Sequence, residues 1–358
     1  MTSSSSKPTH ILFVGAGAVG CFYASRCHHP SANIHVSLIC RSNYNAITQS
    51  GVRLETRSFG NYTFHPHATY PSISAAADDP KAPADGWDYV VVTTKALPDI
   101  TDDAQQIAPL IKSDKTCIVL IQNGVGVEEP HRARFPRNPI VSAVTVISAE
   151  QIRPGVVRQN RWTRISLGGY SSSTPDGSTS SSSSDRSSLA SCSDACARHL
   201  AQILKDHGGI RDAEAHSETD LQLIRWHKLC INGAMNPSSV LCGGRGNADM
   251  VRDPELRAHL RACMEEIFHA VPRIFPGRSL DTVGASPDRI LTSTERNVGA
   301  KPSMLLDWEA GRPLELEVIL GNPIRIARRH GVEMPRLQTL YALLKSAVQI
   351  RDQNKAKL

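Results

Sequence analysis

Glycines near the start of the chain have the spacing of a phosphate-binding turn. Gly15, Gly17 and Gly20 form Gly-x-Gly-x-x-Gly directly after an apolar stretch, and residues 18–27 can continue as a helix. In such a turn the first glycine permits the bend, the second lets a phosphate approach the backbone, and the third lets helix and strand pack closely. The pyrophosphate of a dinucleotide would then lie at the N-terminus of the helix. The cofactor-binding residues predicted here are Gly15, Ala16, Gly17, Ala18, Val19 and Gly20.

The end of the second predicted strand favours NADPH over NADH. In NAD-binding turns an acidic residue about 20 positions after the glycines binds the ribose 2′-hydroxyl and repels a 2′-phosphate. This chain has no acid there, because Cys40 is followed by Arg41, Ser42 and Asn43. A guanidinium with short polar neighbours suits a 2′-phosphate. We therefore predict NADPH as the cofactor, with Arg41 as a ligand of its phosphate.

A second group of polar residues could carry acid chemistry. Lys228, Asn232 and Asn236 stand at four-residue steps in a helical stretch, so they share one helix face. Hydride addition to a ketone leaves an alkoxide, which an adjacent ammonium can stabilise and protonate. A solvated helix surface with a salt-bridged lysine would show the same pattern. A phosphorylated substrate would ask for more cations beside Lys228, where only Arg225 is present.

Two predicted strand ends carry further polar residues. Thr93, Thr94 and Lys95 follow one apolar run, and Asn123 with its neighbours follows the next. In doubly wound sheets, ligands bind beyond the carboxyl ends of the strands. We therefore predict that Lys95 and Asn123 contact the cofactor.

The elements that must position these residues alternate in the first half of the chain. Continuous apolar runs, typical of parallel strands covered on both faces, predict strands at 10–14, 33–40, 89–93, 116–121, 140–148 and 164–168. The later pattern predicts helices at 195–207, 220–235, 254–274, 314–330 and 335–351. The serine-rich stretch 171–193 is expected to be a flexible loop without a catalytic role. The fold class is therefore α/β: a Rossmann-type doubly wound parallel sheet over residues 8–215, followed by an all-α C-terminal domain over residues 216–358.

Bulk properties exclude several classes of protein. The 358 residues carry a formal net charge of +6, spread without long basic blocks or a nucleic-acid motif. Nine cysteines without a Cys-x-x-Cys pair indicate reduced thiols and no metal site. No apolar run is long enough to cross a bilayer. We expect a monomer or homodimer acting on a small molecule, with no membrane or nucleic-acid partner.

The last three residues of the sequence bear on its location. Ala356, Lys357 and Leu358 are a close variant of the Ser-Lys-Leu address for the peroxisome. A solvated helical tail would look the same. Both a peroxisomal and a cytoplasmic location are therefore left open.

Several motifs taken together resemble one known family. GAGAVG, TTKA, QNGVG, WHKLCINGAMNP and SMLLDWEAGRPLELEVILG occur in this order along nearly the whole chain, as in the ketopantoate reductase (2-dehydropantoate 2-reductase) family. The resemblance implies an NADPH-binding N-terminal domain and a helical C-terminal domain. It also implies reduction of a 2-oxo acid, such as 2-dehydropantoate, to a 2-hydroxy acid, such as pantoate.

The resemblance also assigns roles to individual residues. Lys228 matches the family's catalytic lysine and is the general acid, and Glu315 matches its essential glutamate, which would keep that lysine charged and oriented. Substrate-binding positions of the family match Asn123, Asn232, Asn236 and Ser303. Ala300 stands where some relatives carry a polar substrate contact.

Three alternatives follow from the same residues. The first is a reductase of another branched or aromatic 2-oxo acid of the 2-oxoisovalerate type, whose pocket would not need the contact missing at Ala300. The second is a non-catalytic NADPH-sensing protein, which would not need Lys228 and Glu315. The third, a sugar- or glycerol-phosphate dehydrogenase, is disfavoured by the shortage of cations.

Overall fold

A computed structural model of the chain describes residues 7–171 and 183–355. These residues form two compact units. The first unit comprises Met1–Thr94, Asp102–Gln122 and Glu128–Leu221, and the second comprises Lys95–Thr101, Asn123–Val127 and Gln222–Leu358. The main division thus falls after Leu221 rather than at residue 215. Two loops that sequence reasoning assigned to the nucleotide-binding domain belong to the second unit.

The first unit is built on one ten-stranded sheet. Its strands are β1 (Thr9–Val14), β2 (Ile34–Ile39), β3 (Val52–Thr56), β4 (Gly60–Phe64), β5 (Thr69–Tyr70), β6 (Tyr89–Val92), β7 (Cys117–Ile121), β8 (Ile140–Arg153), β9 (Val156–Gly169) and β10 (Ala213–His216). The strand order is β4-β3-β9-β8-β7-β6-β1-β2-β5, with β10 beside β9. From β5 to β8 the neighbouring strands are parallel, whereas β9 runs antiparallel to β8. The predicted α/β class is confirmed, and the sheet is mixed rather than wholly parallel.

Both faces of this sheet are covered, as the unbroken apolar strands predict. Successive side chains of a strand point to opposite faces. On β1, Ile11 and Phe13 belong to one apolar cluster, and Leu12 and Val14 belong to another. All four are almost fully buried. The sheet therefore lies between two hydrophobic layers, and β1 brings the glycine-rich turn to its carboxyl end.

The helices of the first unit follow its strands. They are α1 (Ala18–Cys27), α2 (Tyr44–Ser50), α3 (Ile73–Ala77), α4 (Asp103–Ile107), α5 (Glu129–Arg134) and α6 (Ser183–Gln202), with a π-helical turn at Ile203–His207 and 3₁₀ turns at Pro30–Ala32 and Ala108–Leu110.

The expectation of a flexible loop over residues 171–193 is wrong from Ser183 onward, where α6 has already begun. Tertiary packing overrides the weak helix propensity of serine here. Ser193 is fully buried, and its hydroxyl accepts a hydrogen bond from the Ile140 amide at 3.2 Å. The helix also approaches β9 closely, because a Cβ on Gly169 would come within 2.5 Å of the Asp194 carboxylate. The rest of the serine-rich stretch, residues 172–182, lies outside the described residues.

The second unit is helical, as expected. Its helices are α7 (Glu218–Leu241), whose first turn belongs to the first unit, α8 (Asn247–Arg252), α9 (Pro254–Ile274), α10 (Pro287–Thr294), α11 (Ser303–Glu309), α12 (Asn322–Arg329) and α13 (Pro335–Lys355), with a π-helical turn at Glu317–Gly321 and a 3₁₀ turn at Leu280–Thr282. Helix α9 presents Leu260, Cys263, Met264 and Ile267, all fully buried, at the spacing of one helix face. These residues belong to the apolar core of the unit.

Membrane-spanning helices and the C-terminal tripeptide both bear on where the protein is located. In the described ranges, no helix combines the length and the apolar character needed to cross a bilayer. Ala356, Lys357 and Leu358, on which the peroxisomal prediction rests, lie outside the described residues.

Candidate active site

The glycine-rich turn of the first unit has the geometry that its sequence predicts. Gly15 has φ +111°, a conformation that residues with a Cβ rarely adopt. A Cβ on Gly20 would come within 2.1 Å of the Gly15 carbonyl oxygen, so only glycine fits there. Apart from Gly17 itself and its chain neighbours, no atom of the described residues lies within 4 Å of the Cβ position of Gly17. The first and third glycines are therefore needed by the fold, and the second leaves space for a ligand.

The N-terminus of α1 has the donors that a pyrophosphate needs. The helix begins at Ala18, and Gly17 at its N-cap position has no side chain to accept a hydrogen bond from the first amides. The first N–H groups of a helix have no partner within the helix and carry its positive dipole end. Ala18 and Val19 therefore stand where the sequence predicts contacts to a dinucleotide phosphate, and the turn fits that group.

Two polar residues that sequence reasoning did not assign to this role hold the turn in place. The Thr93 hydroxyl donates a hydrogen bond to the Gly15 carbonyl at 2.7 Å. The Asn43 amide donates to the Ala16 carbonyl at 2.6 Å and exchanges hydrogen bonds with Gln151. Asn43 is buried and engaged by protein groups, so it supports the turn instead of supplying a free group for a 2′-phosphate.

Arg41 differs from Asn43, because it is exposed on the loop after β2. Its guanidinium remains available to a phosphate ester. The assignment of Arg41 to the 2′-phosphate stays a prediction.

The second unit joins three of the predicted residues by hydrogen bonds. Lys228, on α7, donates from Nζ to Oδ1 of Asn123 at 2.8 Å. Nδ2 of Asn123 donates to Oε2 of Glu315 at 3.2 Å, and Oε1 of Glu315 accepts from the Ala96 amide at 3.2 Å. The Asn123 amide thus bridges an ammonium and a carboxylate. We call Lys228, Asn123 and Glu315 the lysine relay.

The environment of the lysine relay changes the acidity of its ends. Burial and the nearby Arg225 lower the pKa of Lys228, the Glu315 carboxylate raises it, and the three effects together bring it to about 8. Burial raises the pKa of Glu315, while hydrogen bonds from Asn123 and the Ala96 amide oppose that rise. An amine whose pKa is close to neutrality is mostly protonated at pH 7 and still gives up its proton readily. Lys228 therefore has the acidity of a good general acid.

The loop that carries Asn123 can pack in this way only because glycine follows it. Gly124 has φ +84°, and a Cβ there would come within 2.4 Å of the Val318 carbonyl oxygen. That same oxygen accepts a hydrogen bond from the Val125 amide at 2.9 Å. Asn322 donates from Nδ2 to the Val125 carbonyl at 2.9 Å. The π-helical turn and the start of α12 thus hold one side of the loop.

The other side of the loop is held by Arg225. This residue is buried at 3% exposure, and its Nη1 donates to the Gly124 carbonyl at 2.9 Å. Sequence reasoning noted Arg225 only as a cation near Lys228. The sequence did contain one sign of its importance: Arg225 lies three residues before Lys228, so both side chains lie on one helix face.

Glu315 is not in a helix, contrary to the helix expected over residues 314–330. Residues 312–315, which include Pro313, have no regular secondary structure, and helical turns begin at Leu316. Proline lacks an amide donor and restricts the residue before it to extended conformations. Just before the helical turns, Glu315 accepts one hydrogen bond at its side chain, from the Ala96 amide, and one at its carbonyl, from the Ile319 amide.

Lys95, predicted to bind the cofactor, makes other contacts within the second unit. Its ammonium forms an ion pair with Asp307 at 2.6 Å and lies 3.4 Å from the Pro313 carbonyl oxygen. Asp307 also pairs with Arg312 at 2.9 Å. The charge of Lys95 is therefore balanced by protein, and a cofactor contact from this residue remains a prediction.

Within residues 7–171 and 183–355, no hydrogen bond links the remaining predicted substrate ligands to the relay. Asn232 and Asn236 follow Lys228 on α7, and Pro237 lies inside the same helix. Asn236 is 4% exposed, and its Nδ2 has no hydrogen-bond partner among the described residues. Ser303 is exposed at the first position of α11. A buried amide without a partner is costly, which makes Asn236 a candidate for donating to a bound molecule.

Comparison with known proteins covers nearly the whole chain. Residues 11–172 match the family model described as ketopantoate reductase PanE/ApbA, and residues 220–348 match the model described as its C terminal. A Saccharomyces cerevisiae protein described as uncharacterized is 30% identical over 94% of this chain and 92% of its own length. A 2-dehydropantoate 2-reductase of a Nostoc strain is 28% identical over 93% of each chain.

A solved structure extends the likeness to the fold. The crystal structure of 2-dehydropantoate 2-reductase from Methylococcus capsulatus matches with a TM-score of 0.76 and 30% identity, over 96% of this chain and 97% of that one. Family models, relatives and this structure point to the same family that the sequence motifs resemble. The chain therefore belongs to the ketopantoate reductase family of NADP-dependent oxidoreductases.

Proposed function

We propose that this chain uses NADPH to reduce a 2-oxo acid to a 2-hydroxy acid, with 2-dehydropantoate as the first candidate substrate and pantoate as its product. Membership of the family supports the reaction type. The observation that carries the proposal is the lysine relay, in which a half-buried lysine with a pKa of about 8 is bridged by an amide to a carboxylate.

Each member of the relay has a distinct task in this proposal. NADPH, when bound, supplies a hydride to the 2-oxo carbon. Lys228 donates a proton to the former carbonyl oxygen, so that the ketone becomes a secondary alcohol. Asn123 accepts one Lys228 proton in a hydrogen bond and thereby aims the ammonium. The Glu315 carboxylate favours the charged form of Lys228 and fixes the Asn123 amide from the other side.

The preference for NADPH rests on the loop after β2. Arg41 is exposed there and no carboxylate occupies the position that would bind a 2′-hydroxyl. The glycine-rich turn would hold the pyrophosphate in either nucleotide. Replacing Arg41 with glutamine should therefore weaken NADPH binding and leave NADH binding nearly unchanged. Titration of both nucleotides against the two proteins measures this directly.

A second candidate substrate class is favoured by one residue. The Ala300 side chain has no hydrogen-bonding group, and its carbonyl oxygen accepts a hydrogen bond from the Asn247 amide at 2.9 Å. A pocket that includes Ala300 would lack the polar contact that some relatives make at this position. The alternative is therefore a reductase of a branched or aromatic 2-oxo acid without a second hydroxyl group.

The deciding experiment follows NADPH oxidation by absorbance with purified protein. Ketopantoate, 2-oxoisovalerate, 2-oxoisocaproate and phenylpyruvate are compared in parallel for the natural chain and for Lys228→Ala. Lys112→Ala serves as the control, since Lys112 is exposed and contacts only the Ala77 carbonyl among the described side-chain bonds. Loss of a positioned general acid should lower kcat by about 10²- to 10⁴-fold.

The outcomes separate the candidates. The highest kcat/KM with ketopantoate, lost in Lys228→Ala alone, supports a ketopantoate reductase. The highest value with another oxo acid keeps the mechanism and changes the substrate. Absence of turnover with tight NADPH binding would favour a nucleotide sensor instead.

A further inference from the structure

Arg225 is a buried cation of the second unit that lies close to the lysine relay. It is 3% exposed and lies one helical turn before Lys228 on α7. Arginine is rarely buried unless it is bonded, because removing a guanidinium from water is costly. One of its bonds goes from Nη1 to the Gly124 carbonyl oxygen, at 2.9 Å. That carbonyl belongs to the residue directly after Asn123.

The contacts on the loop explain why this bond matters. Val318 and Asn322 hold the amide and carbonyl of Val125, which lies on the far side of Gly124 from Asn123. The bond from Arg225 acts one residue closer to the Asn123 side chain. Gly124 has a positive φ of 84°, so its backbone offers a carbonyl orientation that ordinary residues rarely adopt.

We infer that Arg225 is a positioning residue for the reaction: by binding the Gly124 carbonyl, it holds Asn123 where the Asn123 amide bridges Lys228 and Glu315. The inference rests on the proposed function, since positioning matters only if Lys228 is the acid. Arg225 itself need not touch substrate or cofactor.

The same side chain has a second, electrostatic effect on the relay. The guanidinium charge lowers the pKa of Lys228, whereas the Glu315 carboxylate raises it. A like charge nearby disfavours protonation of an amine. Removing the charge of Arg225 should therefore raise the pKa of Lys228 and delay its deprotonation to higher pH.

Three substitutions separate the hydrogen bond from the charge. Arg225→Lys keeps a positive charge, Arg225→Gln keeps a donor without the charge, and Arg225→Met keeps neither. Arg257→Met is the matched control. Like Arg225, Arg257 is an arginine of the second unit that donates to a backbone carbonyl, and it also pairs with the Glu295 carboxylate. Thermal melting of each variant identifies any that fails to fold, and the milder lysine and glutamine variants keep the test usable.

The activity measurement has a defined expectation. Arg225→Met should lower kcat by about 10- to 100-fold through misplacement of the relay, with a much smaller change in KM. The pH above which kcat declines should move upward in the methionine and glutamine variants and stay near 8 in the lysine variant. Natural kcat and an unshifted pH profile in all three variants would overturn the inference, as would an equal effect of Arg257→Met.

A double-mutant cycle tests whether Arg225 acts through Asn123. Residues that act through one another show non-additive effects. In an Asn123→Ala background, Arg225→Met should change kcat by less than about 2-fold, because the amide it positions is absent. Full additivity of the two losses would show that Arg225 only stabilises the fold, and would sink the inference.

A readout without turnover distinguishes this inference from the proposed function. The rate at which acetic anhydride labels Lys228, followed by mass spectrometry across pH, gives the pKa of the amine in the folded protein. It should be near 8 in the natural chain and higher in Arg225→Gln and Arg225→Met. If labelling shows this shift while no oxo acid is reduced, the proposed function fails and the placement of Arg225 beside the lysine stands. An unshifted labelling pKa with normal turnover overturns the role of Arg225 alone.

Discussion

Lys228 is held between groups that act on its proton in opposite directions. Burial and Arg225 favour the neutral amine, and Glu315 favours the ammonium. The balance leaves the pKa at about 8. Reduction needs the protonated form, so we expect kcat to be level at neutral pH and to fall as pH rises through about 8.

Replacing Glu315 with glutamine should move that fall to lower pH. The variant keeps the size of the side chain and removes the negative charge that raises the pKa of Lys228. Measurement of kcat from pH 6 to 10 checks the shift. Glu309→Gln is the control, since Glu309 is exposed and pairs with Lys301. An unchanged or upward-shifted profile in Glu315→Gln would contradict the assigned roles.

Asn236 offers a test that separates binding from folding. Its Nδ2 is buried without a partner among the described residues, so replacing it with leucine, of similar size, should leave the melting temperature unchanged or raise it. If the amide donates to substrate, KM should rise by roughly 10-fold, equivalent to one hydrogen bond. Thermal melts and initial rates measure the two effects.

Asn138 is the matched control for this substitution. It is also buried, but its Nδ2 donates to the carbonyls of Ser113 and Thr116. Asn138→Leu should therefore lower stability by about 1 to 3 kcal/mol, because two buried carbonyls lose their donor. Equal melting temperatures for the two variants would refute the distinction.

At the residue scale, the sequence is sufficient to predict those site residues whose own side chains carry the chemistry. Lys228 and Glu315 are found from motif and chemistry, and the structure joins them through Asn123. Arg225 and Thr93 could not be assigned in the same way, because their partners are backbone carbonyls. Such bonds depend on how a loop folds, which no side-chain pattern records.

At the scale of elements, two glycines of the turn before α1, Gly17 and Gly20, differ in the space around them. Among the described residues beyond its chain neighbours, a methyl group at Gly17 meets no atom within 4 Å, whereas at Gly20 it would overlap the Gly15 carbonyl and the Thr93 hydroxyl. Gly17→Ala should melt like the natural chain and bind NADPH more weakly, because the methyl fills space left for phosphate. Gly20→Ala should lose about 1 to 3 kcal/mol of stability through overpacking. Thermal melts and nucleotide titration of both variants check this, and a large loss of stability in Gly17→Ala would be inconsistent with it.

Long elements were more predictable than short or strained ones. The bounds of α1 and α9 match the sequence prediction, since α1 starts directly after the glycine-rich turn, and α9 has one apolar face and an Asp253 N-cap followed by proline. Strands β3, β4 and β5 were not predicted, because they are short and only partly apolar. The start of helix α6 was missed because its first half is rich in serine, a weak helix former, and the buried contact of Ser193 near its middle cannot be read from the sequence.

For the molecule as a whole, a histidine cluster in the first unit should make stability sensitive to acid. The rings of His35 and His67 are 4.9 Å apart, and those of His10 and His35 are 5.6 Å apart. Burial lowers the pKa of His10 and His35, and it lowers that of the nearby His28 to about 4. The Asp88 carboxylate, which accepts a hydrogen bond from the His10 backbone amide, opposes the lowering of the pKa of His10.

The sign of the effect follows from these directions. A histidine whose pKa is lower in the folded protein binds fewer protons than the unfolded chain does, so its contribution to stability is complete above pH 6.5. That contribution is lost as pH falls from 6.5 toward 4. The melting temperature should therefore drop between pH 7 and 5, before most carboxylates titrate.

His35→Gln should reduce this pH dependence, and His269→Gln, on the exposed side of α9, should not. Melting curves of the natural chain and the two variants at pH 7 and pH 5 measure the difference. The same drop in all three proteins would exclude the cluster as its cause.

The discontinuity of the second unit has a consequence for synthesis. Ala96, Val125 and Val127 belong to its apolar core, together with residues of α9 and α13. A ribosome makes these three residues early, yet their packing partners appear only near the end of translation. The first unit, which ends at Leu221, can fold while the chain is still growing. A nascent chain stopped at that point would carry three unburied apolar side chains and an Asn123 without its lysine, which makes it a natural client for a chaperone.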